Sequence, residues 1–209
     1  MGFFCNECIV QLEFLNPEGR CVYCFGGDLE GKGEICGGCR KGGALLDRCM
    51  AAFDYYGPAA TLVKKMKYGG QAYLAKGAAS FMVAQFIELD VPLPDYVVPV
   101  PMPFLRKLER GYNQSLLIAQ AFGKMIERPV YDCLKKEANP YRSAGMNRKQ
   151  RLEQVGEVVF KGDKEKFRGK NILLIDDVYT TGATLQRCAE ALWGAFPNKV
   201  EGMVLCRGM

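Results

Sequence analysis

Two adjacent carboxylates, Asp176 and Asp177, close the apolar run at residues 171–175. After Val178 and Tyr179 comes a hydroxyl-rich stretch, Thr180-Thr181-Gly182-Ala183-Thr184. Neighbouring acids at a buried strand repel each other and lose hydration, so packing alone gives no reason for them. A ligand does. In an open α/β sheet, ligands sit at the carboxyl ends of strands. The pattern predicts a strand over 171–175, the two acids at its carboxyl end, and a turn over 180–184 leading into a helix. Gly182 would let the backbone approach a ligand, and the free N–H groups at the helix start would attract a phosphate, with threonine hydroxyls as further donors. Acids that accept from hydroxyls beside a phosphate cradle suggest a phosphorylated sugar. The plain alternative is a strand–loop–helix with a solvated acid pair.

A second group is made of cysteines. The chain has ten, and six of them form C-x-x-C pairs: Cys5 with Cys8, Cys21 with Cys24, and Cys36 with Cys39. In a reducing compartment that density suggests metal and not disulfides. The chain has no histidine, so any zinc site must be all-cysteine, and no imidazole can act as general acid or base. Cys21-x-x-Cys24 and Cys36-x-x-Cys39 flank eleven residues, and two such knuckles make a closed tetrahedral zinc ribbon, with glycines 26, 27, 37 and 38 suited to the tight turns. Cys5 and Cys8 form an orphan pair, so one zinc per chain is expected. Cys49, Cys133, Cys188 and Cys206 fall in apolar patterns and read as core thiols.

These groups need a scaffold. The 209 residues, 49% hydrophobic and 24% charged, are those of an ordinary globular protein long enough to bury a core. No apolar run reaches the roughly 18 residues of a membrane span. The first twenty residues lack a basic region followed by an apolar one, so a cytoplasmic location is expected. The net charge of +5 permits a polyanionic partner without requiring one. Residues 1–47 are rich in Cys and Gly, and 48–209 have the texture of an α/β domain. "CMAAFDYY", "DYVVPVPM", "VYDCL", "GEVVF", "NILLID" and "KVEGMVLC" read as strands. "AATLVKKMKY", "GAASFMVAQFIEL" and "NQSLLIAQAFGKMI" read as helices. Leu185, Cys188, Ala189, Leu192, Trp193 and Phe196 recur at helical period before Pro197, which predicts an amphipathic helix. Strands alternating with helices argue for a largely parallel sheet.

The acid pair and threonine turn resemble the phosphoribosyl pyrophosphate (PRPP) motif of type I phosphoribosyltransferases. "PVPMPFLRKLERGYNQS", "FDYYGPAATLVKKMKYGG" and the Cys-rich head are similar to the ComF family of competence-associated phosphoribosyltransferase-like proteins. The resemblance covers nearly the whole chain. It implies a type I phosphoribosyltransferase fold, a mostly parallel sheet flanked by helices, with a small N-terminal zinc ribbon. It further implies a part in the uptake of transforming DNA, with PRPP, single-stranded DNA, and a helicase or recombination mediator as partners. Asp176 and Asp177 would hold the ribose hydroxyls, and Thr180, Thr181, Gly182, Ala183 and Thr184 the 5-phosphate. The loop around Val100, with Arg106 and Arg110, would serve the Mg²⁺-bound pyrophosphate. Arg151 would stabilise leaving charge. The chain departs from the family pattern before that arginine, where Ala138, Pro140 and Ser143 replace an Arg, a Thr and a Gln, and Gln154 replaces an Asn. Thr180 also cannot act as the acidic base that some purine enzymes of this fold carry there. Three readings follow: a DNA-handling protein, an active phosphoribosyltransferase with an unknown nucleobase or amine acceptor, and a non-catalytic PRPP sensor. Basic residues with interleaved aromatics, Lys64, Lys65 and Lys67 with Tyr68, Arg106, Lys107 and Arg110 with Tyr112, and a third basic cluster of Arg142, Arg148, Lys149 and Arg151, fit single-strand binding. The charges over 161–170 read as a solvated face.

Overall fold

The computed structural model describes residues 4–27, 29, 34–137 and 157–208. The core is a four-stranded sheet in the order β1 (Arg48–Asp54), β6 (Lys199–Arg207), β5 (Asn171–Tyr179), β2 (Tyr96–Pro99). Every pairing in it is parallel, as the alternation of strands and helices predicts. The inner strands are largely apolar because both faces are covered. On β5, Leu173 and Ile175 face one buried cluster while Ile172 and Leu174 face the other.

One face carries α3 (Gly57–Tyr68), α4 (Leu74–Glu88) and α6 (Gln114–Met125). α3 starts with a proline in its first turn, which cannot use an N–H there anyway, and stops at Gly69. The other face carries α8 (Ala183–Trp193), the antiparallel hairpin of β3 (Leu134–Glu137) and β4 (Glu157–Phe160), and the part of the Cys-rich head that bears α2 (Gly37–Gly42), whereas α1 (Asn6–Ile9) lies between Phe4 and Leu12, which pack against the cluster of the first face. Leu15, Cys21, Cys24 and Phe25 of the head share one buried cluster with Val98, Leu174 and Leu185. The remaining helices are α5 (Phe104–Arg110) and α7 (Lys164–Phe167).

Four expectations change. β5 does not end at Ile175: it continues through both acids to Tyr179 because β6 goes on pairing with it as far as Arg207. "VYDCL" is not a strand as a whole. Val130 makes an isolated bridge to Val97, and β3 begins only at Leu134. Phe196 is not on the amphipathic stripe. It lies past the end of α8, 61% exposed, with a positive φ of 55° and Arg168 over its ring. Finally, "FLRKLER", unassigned in the sequence, forms α5, which buries none of its side chains and is ended by Gly111 at φ 85°. The core assignment of Cys49, Cys133, Cys188 and Cys206 holds, since all four are buried. Burial pushes the Cys133 thiol up to about 12 and the others higher still, which leaves them inert as nucleophiles. The charges over 161–170 are solvated, with Lys161 paired to Glu137 and Arg168 to Glu165.

Candidate functional site

Strand β2 stops at Pro99, opposite Ile175, so beyond that point β5 loses one neighbour and keeps only β6. The next two residues of β5 are the acid pair, and their free edge opens into a cavity of about 410 Å³. Each acid is held differently. Asp177 is 2% exposed, and its Oδ1 lies 2.8 Å from Lys67 Nζ at the end of α3. Its Oδ2 is buried without a hydrogen-bond partner among the described residues. Asp176 is half-buried. Its Oδ1 accepts from Ser115 Oγ at 2.7 Å and from the Asp177 N–H at 2.9 Å. Burial, then repulsion from Asp177, raises its pKa to about 6 against the pull of Lys67. Burial works against the charge of Lys67, but Asp177 outweighs it and the ammonium pKa is raised. An unsatisfied buried carboxylate oxygen is costly.

The "RGYNQS" segment explains itself in this setting. Tyr112 donates to the Met66 carbonyl at 2.6 Å and ties α5 to α3. Asn113 caps α6 by accepting from Ser115 N–H at 3.1 Å, and its Nδ2 donates to the Val100 carbonyl at 3.1 Å. Ser115 in turn fixes Asp176. Val100 lines the cavity, but its N–H donates to Ile175 at 2.9 Å. It therefore positions the loop and has no free N–H to offer a ligand. Arg106 and Arg110 of α5 line the opposite wall, Arg110 bonded to Gln114 and set over the Tyr68 ring at 5.7 Å.

The turn adjoins the acids as a recess of about 40 Å³ lined by Thr180, Thr181, Gly182, Ala183 and Thr184. Gly182 has φ 77°, and a Cβ there would sit 2.1 Å from Tyr179 Oη, so only glycine fits above the tyrosine ring. As N-cap of α8, Gly182 supplies no side-chain acceptor. Thr181 Oγ1 reaches the Ala183 N–H at 3.4 Å. Among the described residues the first turn of this eleven-residue helix therefore keeps donors for an anion.

Three cavity residues escaped the sequence reading as site residues. Lys67 was grouped with a nucleic-acid-binding cluster, yet it is consumed by Asp177. Ser115 follows "RGYNQ" in the sequence, where its type alone gives no hint of its bond to Asp176. Lys136 on β3 lines the cavity, and burial lowers its pKa; the run "LKKE" gave no signal of this, because only tertiary packing brings it near Asp176. Arg151, with Ala138, Pro140, Ser143, Gln154, Arg142, Arg148 and Lys149, lies outside the described residues.

Across the sheet, the sulfur atoms of Cys21, Cys24, Cys36 and Cys39 all lie within 4.8 Å of one another, and those of Cys24 and Cys36 are 3.7 Å apart. A tetrahedral metal with bonds of about 2.3 Å spaces its sulfurs roughly 3.8 Å apart, so the donor set fits zinc. Cys36 N–H donates to Cys21 Sγ at 3.3 Å and Cys39 N–H to Cys36 Sγ at 3.5 Å, which orients those two sulfurs. Cys5 is exposed, Cys8 is half-buried, and neither joins a group of three potential ligands among the described residues. A larger cavity, about 870 Å³, lies between the head and α4. Of its charged lining residues, Arg20 pairs with Asp54 at 2.8 Å and Arg48 with Glu201. No helix among the described residues is long and apolar enough to cross a membrane.

Residues 74–209 match the phosphoribosyl transferase domain family. Competence protein F of Haemophilus influenzae is 25% identical over 194 residues, spanning 90% of this chain and 83% of that protein. Competence protein ComFC of Bacillus subtilis is 30% identical over 149 residues, 71% of this chain and 59% of that one. Among solved structures, a purine phosphoribosyltransferase from Pyrococcus horikoshii aligns over 62% of the chain at 16% identity, with a TM-score of 0.40. That likeness is distant and carries no functional detail.

Proposed function

Because the chain belongs to the phosphoribosyl transferase domain family, as a ComF-type member with curated relatives named for competence and DNA utilization, we propose that its cavity binds PRPP with Mg²⁺ in the service of DNA handling. The ribose hydroxyls donate to Asp176 and Asp177. The 5-phosphate occupies the recess at Thr180, Thr181, Gly182, Ala183 and Thr184. Arg106, Arg110 and Lys136 face the pyrophosphate, and Arg151 is assigned to the same charge from its place in the sequence. The observation that carries this reading is the acid pair in one cavity, with Asp177 Oδ2 lacking a hydrogen-bond partner among the described residues and Asp176 lining the adjoining recess at the start of α8. A sugar hydroxyl supplies the missing proton donor, and the helix end supplies the anion site.

If the bound PRPP reacts, Asp176 is the cavity group suited to hold or release a proton near neutrality, with its pKa at about 6 and no imidazole in the chain. Calorimetric titration with PRPP and Mg²⁺, beside an Asp176→Asn/Asp177→Asn double variant, tests the reading. Saturable binding that the variant loses is expected. Absence of binding to the zinc-loaded chain would overturn it. Pyrophosphate release with a nucleobase or amine acceptor would separate an active transferase from a sensor.

A second reading is favoured by the rim. Tyr68 is 80% exposed beneath Arg110, and Arg106 is exposed on α5. A stacking ring beside cations suits single-stranded DNA. Its affinity should then fall steeply with salt, and charge reversal at Arg106 and Arg110 should flatten that slope. In both readings the chain works in the cytoplasm, and residues 1–47 form a zinc-bearing head that docks a protein partner such as a helicase or recombination mediator.

A further inference from the structure

Arg207, the last residue of central strand β6, belongs to neither site, yet it touches both. Its Nε donates to the Cys24 carbonyl at 2.9 Å, and its Nη2 lies 3.9 Å from Cys24 Sγ. Its Nη1 donates to the carbonyls of Tyr179 at 3.1 Å and Thr180 at 3.0 Å, the two residues that open the turn. The guanidinium carbon also stacks 4.7 Å from the centre of the Tyr179 ring, and that ring is what Gly182 packs against. On the head side the fit is equally close: a Cβ on Gly26 would meet Nη2 at 3.0 Å. The rigid planar fork therefore has one edge on the cysteine knuckle and the other on the base of the turn.

We propose that Arg207 is a positioning residue that couples metal occupancy of the four-cysteine site to the order of the 180–184 turn. A metal holds Cys24 as a thiolate and fixes the knuckle. That strengthens the Nη2–H···S contact and holds the Cys24 carbonyl against Nε. A fixed guanidinium then holds the Tyr179 and Thr180 carbonyls in place, so the donors of α8 stay aimed into the recess. Without the metal the knuckle slackens, Arg207 loses one of its two anchors, and the turn loosens. The consequence for ligand affinity rests on the turn being a phosphate site, but the coupling itself does not.

Backbone amide exchange over residues 180–186 of the full chain tests it, comparing zinc-loaded protein with protein stripped by a chelator. Faster exchange in the turn on stripping is expected, with β2 unchanged as the internal reference. Arg207→Met should bind zinc roughly 10–100-fold more weakly. Under saturating zinc its turn should already exchange fast, and stripping should change it no further. Gly26→Ala, which presses the guanidinium from the knuckle side, should loosen the turn in the same direction should Arg207→Met fold poorly. A turn indifferent to stripping, or an Arg207→Met turn that still responds as the parent does, would overturn the coupling. PRPP titration of the same samples keeps the two ideas apart. Exchange that responds without PRPP binding refutes only the phosphate reading, and PRPP binding with an unresponsive turn refutes only the coupling.

Discussion

Four sulfurs within 4.8 Å of one another in the head and two carboxylates on adjacent residues of β5 pose the same electrostatic problem, and the chain meets it in two ways. At the acid pair it brings its own cation. Lys67 sits 2.8 Å from Asp177, Ser115 and a backbone N–H hold Asp176, and one oxygen is left over. At the cysteine cluster the cation in contact among the described residues is Arg207, at the long distance of 3.9 Å. The sulfur spacing of the cluster fits a metal, while the acid pair leaves Asp177 Oδ2 without a hydrogen-bond partner among the described residues. Crowding of like groups thus marks both places, and a counter-charge at ion-pair distance is present at the acid pair.

Breaking the cluster should have the largest effect. Cys36→Ser should reduce zinc content from one per chain towards none by elemental analysis. It should also loosen the packing of Leu15 and Phe25, because metal binding and head folding are one equilibrium. Removing the internal cation's partner comes next. Asp177→Ala strands Lys67 and should cost about 2–3 kcal/mol by urea denaturation, near the lower end for a broken buried pair since it also relieves Asp176. An Asp177→Leu/Lys67→Met variant should recover much of that loss.

Asp176→Asn should act in the other direction. The folded pKa of Asp176 is about 6, above the value of about 3.9 in an unfolded chain. The folded state therefore binds more protons between those values, and stability falls as pH rises through that window. Asp176→Asn removes this penalty and should melt higher than the parent at pH 7, by about 1–2 kcal/mol, with the advantage vanishing below about pH 4. Equal stabilities at pH 7 would show that Ser115 and Lys67 fully compensate the carboxylate. The smallest effect is expected from Ser115→Ala, which removes one hydrogen bond worth about 1 kcal/mol. It should weaken PRPP binding more than it shifts the melting temperature.

Most of the architecture was legible because it obeys short-range rules. Apolar β-branched runs mark β2, β5 and β6, and helical periodicity marks α3, α4, α6 and α8. Paired C-x-x-C spacing marks the four-cysteine cluster. What escaped had no local signal. α5 buries nothing, so no apolar stripe announces it. The extension of β5 through its acids depends on β6 continuing beside it. Within the site, the acids and the threonine turn were readable from sequence. Lys67, Lys136 and Arg207 were not, since each arrives from a distant element and owes its role to burial or to a partner that no spacing rule foretells.

The chain holds a single tryptophan, and its place gives the molecule a built-in spectroscopic reporter. Trp193 ends the helix that begins at the turn, and its indole Nε1–H donates to the Leu45 carbonyl at 2.7 Å, at the boundary with the head. Its emission wavelength therefore follows whether that hydrogen bond is intact or the ring has become wet. Undocking of the head would appear as a red shift in an unlabelled sample, with no other indole to obscure it.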